Sequence, residues 1–337
     1  MADRPRQPSM YDVARLADVS HQTVSRVIND HPSTRPETRA RVLEAMETLG
    51  YRPNRAARTL ATAKSHIIGI LVSDVGLFGP SSMTRAIEQA ARESDHFTVL
   101  CTIDPDSAES VMAGVDHLAA LDIDGLVVIT PRTDAVTAVR KRLNNIPVVT
   151  VDSMYRLDEL SVSIDNFQGG QMATEYLIGL GHRNILHVGG PPHWSEATTR
   201  AAGYAATMRT HNLTPRIVDG DWSAATGYEL GITLNLDAFG TTAILAANDD
   251  LCMGLLRAFA DRDIAVPRDV SVMGFDDVPQ AAYLTPPLTT MRLDFHELGT
   301  RAFQVLLNHS TRGPHRPLEP IAPSLVIRQS TAAPPAL

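Results

Sequence analysis

The chain has 337 residues, 44% hydrophobic and 20% charged, with a formal charge of −8. That is enough apolar material for one small domain plus a body of one or two lobes, and it excludes a disordered chain. Two cysteines, Cys101 and Cys252, lie far apart in apolar stretches without CxxC or CxxH spacing, which argues against a metal or redox site.

Residues 9 to 61 set the organisation. Ser9 and Asp12 form the sequence pattern of a capping box, opening a helix with Val13, Leu16 and Ala17 inward. Asp18-Val19 breaks that pattern. Ser20 caps a second helix, which turns Val24, Val27 and Ile28 inward. Its other face carries His21, Gln22, Thr23, Ser25 and Arg26, short hydrogen-bonding groups and a cation suited to the major groove. Thr34 to Glu37 reads as a further capping box, opening a third helix with Val42, Leu43, Met46 and Leu49 inward and Gly50 at its end. Arg55 to Ala61 reads as a short basic helix. Up to Lys64 there are 11 Lys and Arg against 7 Asp and Glu, a surplus of four positive charges that leaves the remainder at −12. A basic head on an acidic body is the footprint of a DNA module fused to another function.

The runs YDVARLADVSHQTVSRVIND and TRARVLEAMETLGYRPNRAARTLA resemble the lactose-repressor family of bacterial transcription regulators. The resemblance implies that the second helix enters the major groove and that a hinge helix pushes a leucine, here Leu60, into the minor groove. It places DNA contacts at Tyr11, Ser20, His21, Gln22, Thr23, Ser25, Arg26, Asn29, Thr38, Tyr51, Asn54, Arg55, Ala57 and Leu60. His21-Gln22 replaces a tyrosine-glutamine pair of the family's lactose-responsive type, so base preference at that step is expected to differ.

After the hinge, strands and helices alternate. Strands are expected at His66–Val72, Thr98–Thr102, Gly125–Ile129, Pro147–Val151 and Ser161–Ile164, then at Ile185–Val188, Ile217–Val218, Ala243–Ala246, Val270–Gly274 and Ser324–Ile327. Helices are expected at Met83–Arg92, Ser107–Ala120, Asn166–Leu180, Glu196–Arg209, Ala224–Leu236, Asp250–Ala260 and Asp294–Asn308. Repeated strand–helix–strand units mean parallel sheets covered on both faces. The fold class is therefore α/β: a helix-turn-helix head and hinge helix, joined to two doubly wound lobes. The resemblance makes these lobes of the periplasmic-binding-protein type. The boundaries are 8–53 for the head, 54–64 for the hinge and 65–331 for the core. The N-lobe takes 65–164 and 292–322, the C-lobe 165–291 and 323–331, with crossovers near Asp165, Met291 and Pro323.

In two such lobes, ligands sit between the carboxyl ends of the strands. Polar residues end several strands there: Asp74, Asp152, Asn248-Asp249 and Asp276. Arg200, Trp222 and Phe295 complete an inventory for a sugar, with carboxylates, an amide and a guanidinium for hydroxyls and aromatic rings for a pyranose face. The resemblance implies effector contacts at Asp152, Arg200, Trp222, Asn248, Asp276 and Phe295, and an apolar wall at Leu77, Gly79, Pro80 and Met83. Leu293, Ile129 and Glu196 stand where lactose-responsive members have glutamine, asparagine and serine. Trp194 stands where the purine-responsive branch has an arginine, which disfavours a flat base.

Other chemistries are weaker. Asp249-Asp250 and Asp276-Asp277 contain the carboxylates of a glycosidase, but ligand binding and helix capping account for them. GGPP lacks the order of a phosphate loop. The 12 histidines show no HExxH spacing, so no metal or other cofactor is expected. No secretory signal and no run of about 18 apolar residues is present, so a cytoplasmic location without membrane contact is expected. The resulting expectation is a non-enzymatic homodimeric repressor of sugar-utilisation genes on palindromic operator DNA, released by a β-galactoside or β-glucoside. The alternatives are a purine- or other corepressor-responsive regulator, and a cytosolic sugar-binding protein or glycoside-acting enzyme. The lack of a C-terminal heptad helix points to a dimer rather than a tetramer.

Overall fold

The computed structural model describes residues 8–28, 31, 33–51, 64–130, 133–151, 160–309 and 318–335. Asn29, Asn54, Arg55, Ala57, Leu60 and Asp152 lie outside the described residues, as does the expected hinge helix apart from Lys64. Contacts divide the chain into two units, Met1–Ser65 and His66–Leu337.

The first unit holds three helices: α1 (Met10–Leu16), α2 (His21–Ile28) and α3 (Pro36–Leu49). Ser9 and Asp12 close the capping box reciprocally, with the Ser9 N–H donating to Asp12 at 2.8 Å. Asp18 adopts a left-handed φ of 51°, which turns the chain toward α2. The Ser20 hydroxyl accepts from the Thr23 N–H at 3.1 Å and caps α2. The expected second box at Thr34 does not form. Arg35 takes the cap position without a side-chain bond, and Pro36 opens the helix with no N–H to satisfy. The apolar stripes also sit slightly differently. Val13, Ala14, Ala17, Val24, Val27, Val42, Ala45 and Tyr51 form the core, while Leu16 and Leu43 are each 51% exposed.

In the second unit most strands are apolar runs rather than alternations, as expected for sheets buried on both faces. IIGILV forms β1 (Ile67–Val72), followed by β2 (Phe97–Thr102), β3 (Gly125–Ile129), β4 (Val148–Val151) and β5 (Ser161–Val162). They pair in parallel in the order β2-β1-β3-β4-β5. A second sheet comprises β6 (Ile185–Val188), β7 (Arg216–Val218), β8 (Ala243–Ala246), β9 (Ser271–Asp276), β10 (Thr289–Arg292) and β11 (Ser324–Val326), in the order β11-β10-β9-β8-β6-β7. All its pairs are parallel except β10 with β11. Read from β7 to β10, the second sheet repeats the strand order of the first.

The intervening helices are α4 (Phe78–Glu93), α5 (Ala108–Ala119), α6 (Thr133–Arg142), α7 (Asn166–Gly179), α8 (Ser195–Thr210), α9 (Ala224–Thr233), α10 (Asp249–Asp261) and α11 (Phe295–His309). Helix α4 begins five residues before the expected Met83. Gly79-Pro80 reads as a breaker, but a proline in the first turn forfeits no intrahelical bond. Helix α6 and strand β10 carry no sufficient periodic signal and were not expected. The chain moves between sheets after β5, after β10 and before β11. Helix α11 follows a strand of the second sheet yet packs on α4 of the first lobe: a Cβ at Gly299 would lie 2.6 Å from the Met83 carbonyl oxygen.

Candidate functional site

On the exposed face of the head, His21, Gln22 and Arg26 project outward, with Thr23 and Ser25 half-buried beside them. Tyr11 is 67% exposed and stacks on His21, ring centroids 5.0 Å apart at 12°. The pair makes a flat aromatic shelf at the start of α2. Ser20 is spent on its cap, Thr38 is half-buried, and the Tyr51 ring belongs to the core of the head.

Between the lobes lies a cleft of about 770 Å³, counted to its open mouth. It forms where both sheets reverse their strand order, so the residues after the central strands face one another. Ser73 follows β1, Thr130 follows β3, Asn248 follows β8 and Asp276 ends β9, and all four line the cleft. Of the expected contacts, Leu77, Gly79, Pro80, Met83, Arg200, Trp222, Asn248, Asp276 and Phe295 line it. Asp74 does not: it is exposed, and its carboxylate accepts from the Gly76 N–H at 2.8 Å. Sequence reasoning overlooked Asn166, Thr130 and Phe78, and singled out Asp250 only as a ligand-binding or helix-capping acid without placing it among the effector contacts. Their positions at strand and helix ends, adjoining residues already singled out, were the available signal.

Arg200 is 4% exposed. Its Nε donates to Asn166 Oδ1 at 2.8 Å, one terminal nitrogen donates to the Ala247 carbonyl, and the other lies 3.2 Å from Asp276 Oδ1. The last contact is an ion pair without directed hydrogen-bond geometry, so Asp276 Oδ1 still lacks a hydrogen-bond partner. Burial raises the Asp276 pKa, and the Arg200 charge opposes the rise. The guanidinium is also 4.8 Å from the Phe275 ring centroid and 5.6 Å from that of Trp222. It is thus fixed on several sides before any ligand arrives.

Aromatic walls flank this floor. Trp194 meets Trp222 edge-on at 5.7 Å, and Phe78 meets Phe295 edge-on at 5.8 Å. Gly190 leaves room for Trp222, since a Cβ there would lie 2.5 Å from its ring. Trp222 has a left-handed φ of 73°, held by Asn248, whose Nδ2 donates to the Trp222 carbonyl at 2.9 Å. Asn248 Oδ1 meanwhile caps α10.

Two of the four acids in a glycosidase reading are spent on structure. Fully buried Asp249 accepts from the Thr290 hydroxyl at 2.6 Å and the Val278 N–H at 2.8 Å. Asp277 is held by Arg292 at 2.7 Å and Arg328 at 2.6 Å.

These features define a ligand-binding α/β core of two doubly wound lobes in a chain that also carries a helix-turn-helix head. A family model described as "Bacterial regulatory proteins, lacI family" matches residues 9–54, and one for a periplasmic binding protein-like domain matches 174–331. The lactose operon repressor of Escherichia coli (strain K12) is 33% identical over 97% of this chain and 91% of its own length. The ribose operon repressor of the same organism is 31% identical over 90% of this chain and 93% of its own. A solved lac repressor dimer bound to operator and the anti-inducer ONPF is 32% identical with a TM-score of 0.88, covering 97% of this chain and 100% of that one. A transcriptional regulator CelR–cellobiose complex is 27% identical with a TM-score of 0.70, covering 96% of this chain and 99% of that one. The chain belongs to the lacI family of bacterial regulatory proteins and is a DNA-binding transcriptional regulator. Among the described residues no helix is long and apolar enough to cross a membrane.

Proposed function

We infer that the chain is a homodimeric repressor of sugar-utilisation genes, released from a palindromic operator by a β-galactoside or β-glucoside bound in the interlobe cleft. The observation carrying this reading is Arg200, pre-set on Asn166, Ala247 and Asp276 between aromatic walls. Carboxylates, an amide and a fixed guanidinium suit ring hydroxyls, and the rings suit a pyranose face. The kinship with a lac repressor dimer and a cellobiose-bound regulator supports a dimer and a disaccharide-like ligand. The chain performs no catalysis and works in the cytoplasm, where the operator is.

Base reading falls to His21, Gln22 and Arg26, and two heads on a two-fold dimer read two half-sites. The residues placed outside the described set, Asn29, Asn54, Arg55, Ala57 and Leu60 on the DNA side and Asp152 in the cleft, belong to the same proposal. Sugar contacts both lobes and shifts their balance. It weakens DNA binding because it binds the DNA-free state more tightly.

Fluorescence anisotropy of a labelled palindrome from the DNA beside the gene tests this. It is titrated with protein alone and then with lactose, allolactose, cellobiose, gentiobiose and hypoxanthine. Salt-sensitive binding abolished by one disaccharide is the expected result. Binding strengthened by hypoxanthine would replace induction by corepression. No specific binding under any condition would sink the operator reading.

A further inference from the structure

Most polar atoms around the cleft are already spent within the protein. Arg200 uses its nitrogens on Asn166, Ala247 and Asp276. Asn248 uses its oxygen on Leu251 and its amide on Trp222. Four groups remain. The Thr130 hydroxyl, in a residue 8% exposed, has no partner. The indole N–H of Trp222, in a residue 6% exposed, has none either. Asp276 Oδ1 sits in the ion pair with Arg200 but accepts no directed hydrogen bond. Asp250, in the first turn of α10, makes no hydrogen bond or ion pair among the described residues. All four residues line the same cleft, Thr130 from the N-terminal lobe and the others from the C-terminal lobe.

A buried polar atom without a partner is costly, so the Thr130 hydroxyl and the Trp222 indole N–H mark where a ligand supplies the missing bonds, and the half-buried Asp250 carboxylate beside them is open to a donor. Arg200 is the one cation lining the cleft among the described residues, while Glu196, Asp250 and Asp276 are all acids. Burial raises the pKa of Asp250, as it does that of Asp276, so further negative charge is unwelcome here. A hydroxyl donating to either carboxylate offsets its lost hydration; an anion adds repulsion.

We propose that Asp250 and Asp276, with Thr130 across the cleft, select uncharged or cationic glycosides rich in hydroxyl donors and exclude uronates and sugar phosphates. This rests on the reading of the cleft as a sugar site and assigns to that site a charge filter built on the Asp250 and Asp276 carboxylates, with the Thr130 hydroxyl as a neutral partner across the cleft.

The chain contains two tryptophans, and both line the cleft, so intrinsic emission reports occupancy directly. The whole chain is titrated near neutral pH with methyl β-glucoside, methyl β-glucosaminide, methyl β-glucuronide and methyl β-glucoside phosphorylated at its primary hydroxyl, and with the same four in the galactose series. The neutral and amino sugars of one series should shift the emission, and its two anionic members should bind at least about tenfold more weakly. Asp250→Asn should narrow that ratio severalfold, a selectivity change that loss of structure would not produce. Thr130→Val should weaken the neutral sugar by about five- to tenfold. A glucuronide or galacturonide that binds as tightly as its neutral parent would overturn the charge filter and leave the sugar cleft standing. Silence from every probe in both series would overturn the sugar reading and the filter with it.

Discussion

Arg200 and Asp276 face each other at 3.2 Å with side chains 5% and 12% exposed, one from helix α8 and one from the end of β9. Neither is stable there alone. Removing one partner of a buried pair leaves an uncompensated charge, which costs about 3–5 kcal/mol. Arg200→Ala should therefore lower stability to chemical denaturation by about that amount and abolish the sugar response. Unchanged denaturation would show that the pair is solvated rather than buried.

Gly170 brings α7 against the helix that carries Arg200. A Cβ there would lie 2.3 Å from the Arg200 carbonyl oxygen, and backbone cannot yield as a side-chain tip can. Gly170→Ala should cost about 1–3 kcal/mol by overpacking and weaken sugar binding by moving α8. A thermal melt and a sugar titration check both effects.

Burial holds the pKa of His187 at about 4 against an ordinary 6.5, and its Nδ1 contacts the Leu245 carbonyl at 2.9 Å. In the unfolded chain the ring protonates near 6.5, so its neutral burial contributes fully above that pH. The contribution is lost as pH falls from 6.5 toward 4, about 3 kcal/mol in all. His187→Phe keeps a ring against Tyr204, which stacks on His187 at 5.2 Å, but cannot titrate. The stability difference should move in favour of the variant across that window. A difference independent of pH would contradict this.

On the head, Gln22 is exposed on α2 and makes none of the helix's own caps. Gln22→Ala should weaken specific operator binding by about 1–3 kcal/mol and leave non-specific binding near its original value. Competition with a scrambled duplex separates the two.

Much of this was legible in the sequence. Apolar runs such as IIGILV and GLVVI announced parallel strands, and the capping box at Ser9 announced α1. Nine cleft-lining residues could be named because they sit at strand ends or match the family's contacts. The rest depended on tertiary facts. Whether Leu16 and Leu43 face inward is decided by a rotation of the stripe that small Ala14 and Ala45 allow. Thr34 could not be told from a cap until Arg35 took that position. Asp74 lies outside the cleft on an exposed turn, its carboxylate accepting from the Gly76 N–H. Asn166 reads as an ordinary helix start, and only the crossing of α7 and α8 brings it to Arg200.

If sugar in the cleft releases the operator, linkage makes the coupling between the two reciprocal. The most direct measurement is the affinity for the active disaccharide, read by tryptophan emission, with and without saturating operator duplex. Operator should weaken sugar binding by the same factor by which sugar weakens operator binding. A sugar affinity unchanged by saturating operator would contradict it.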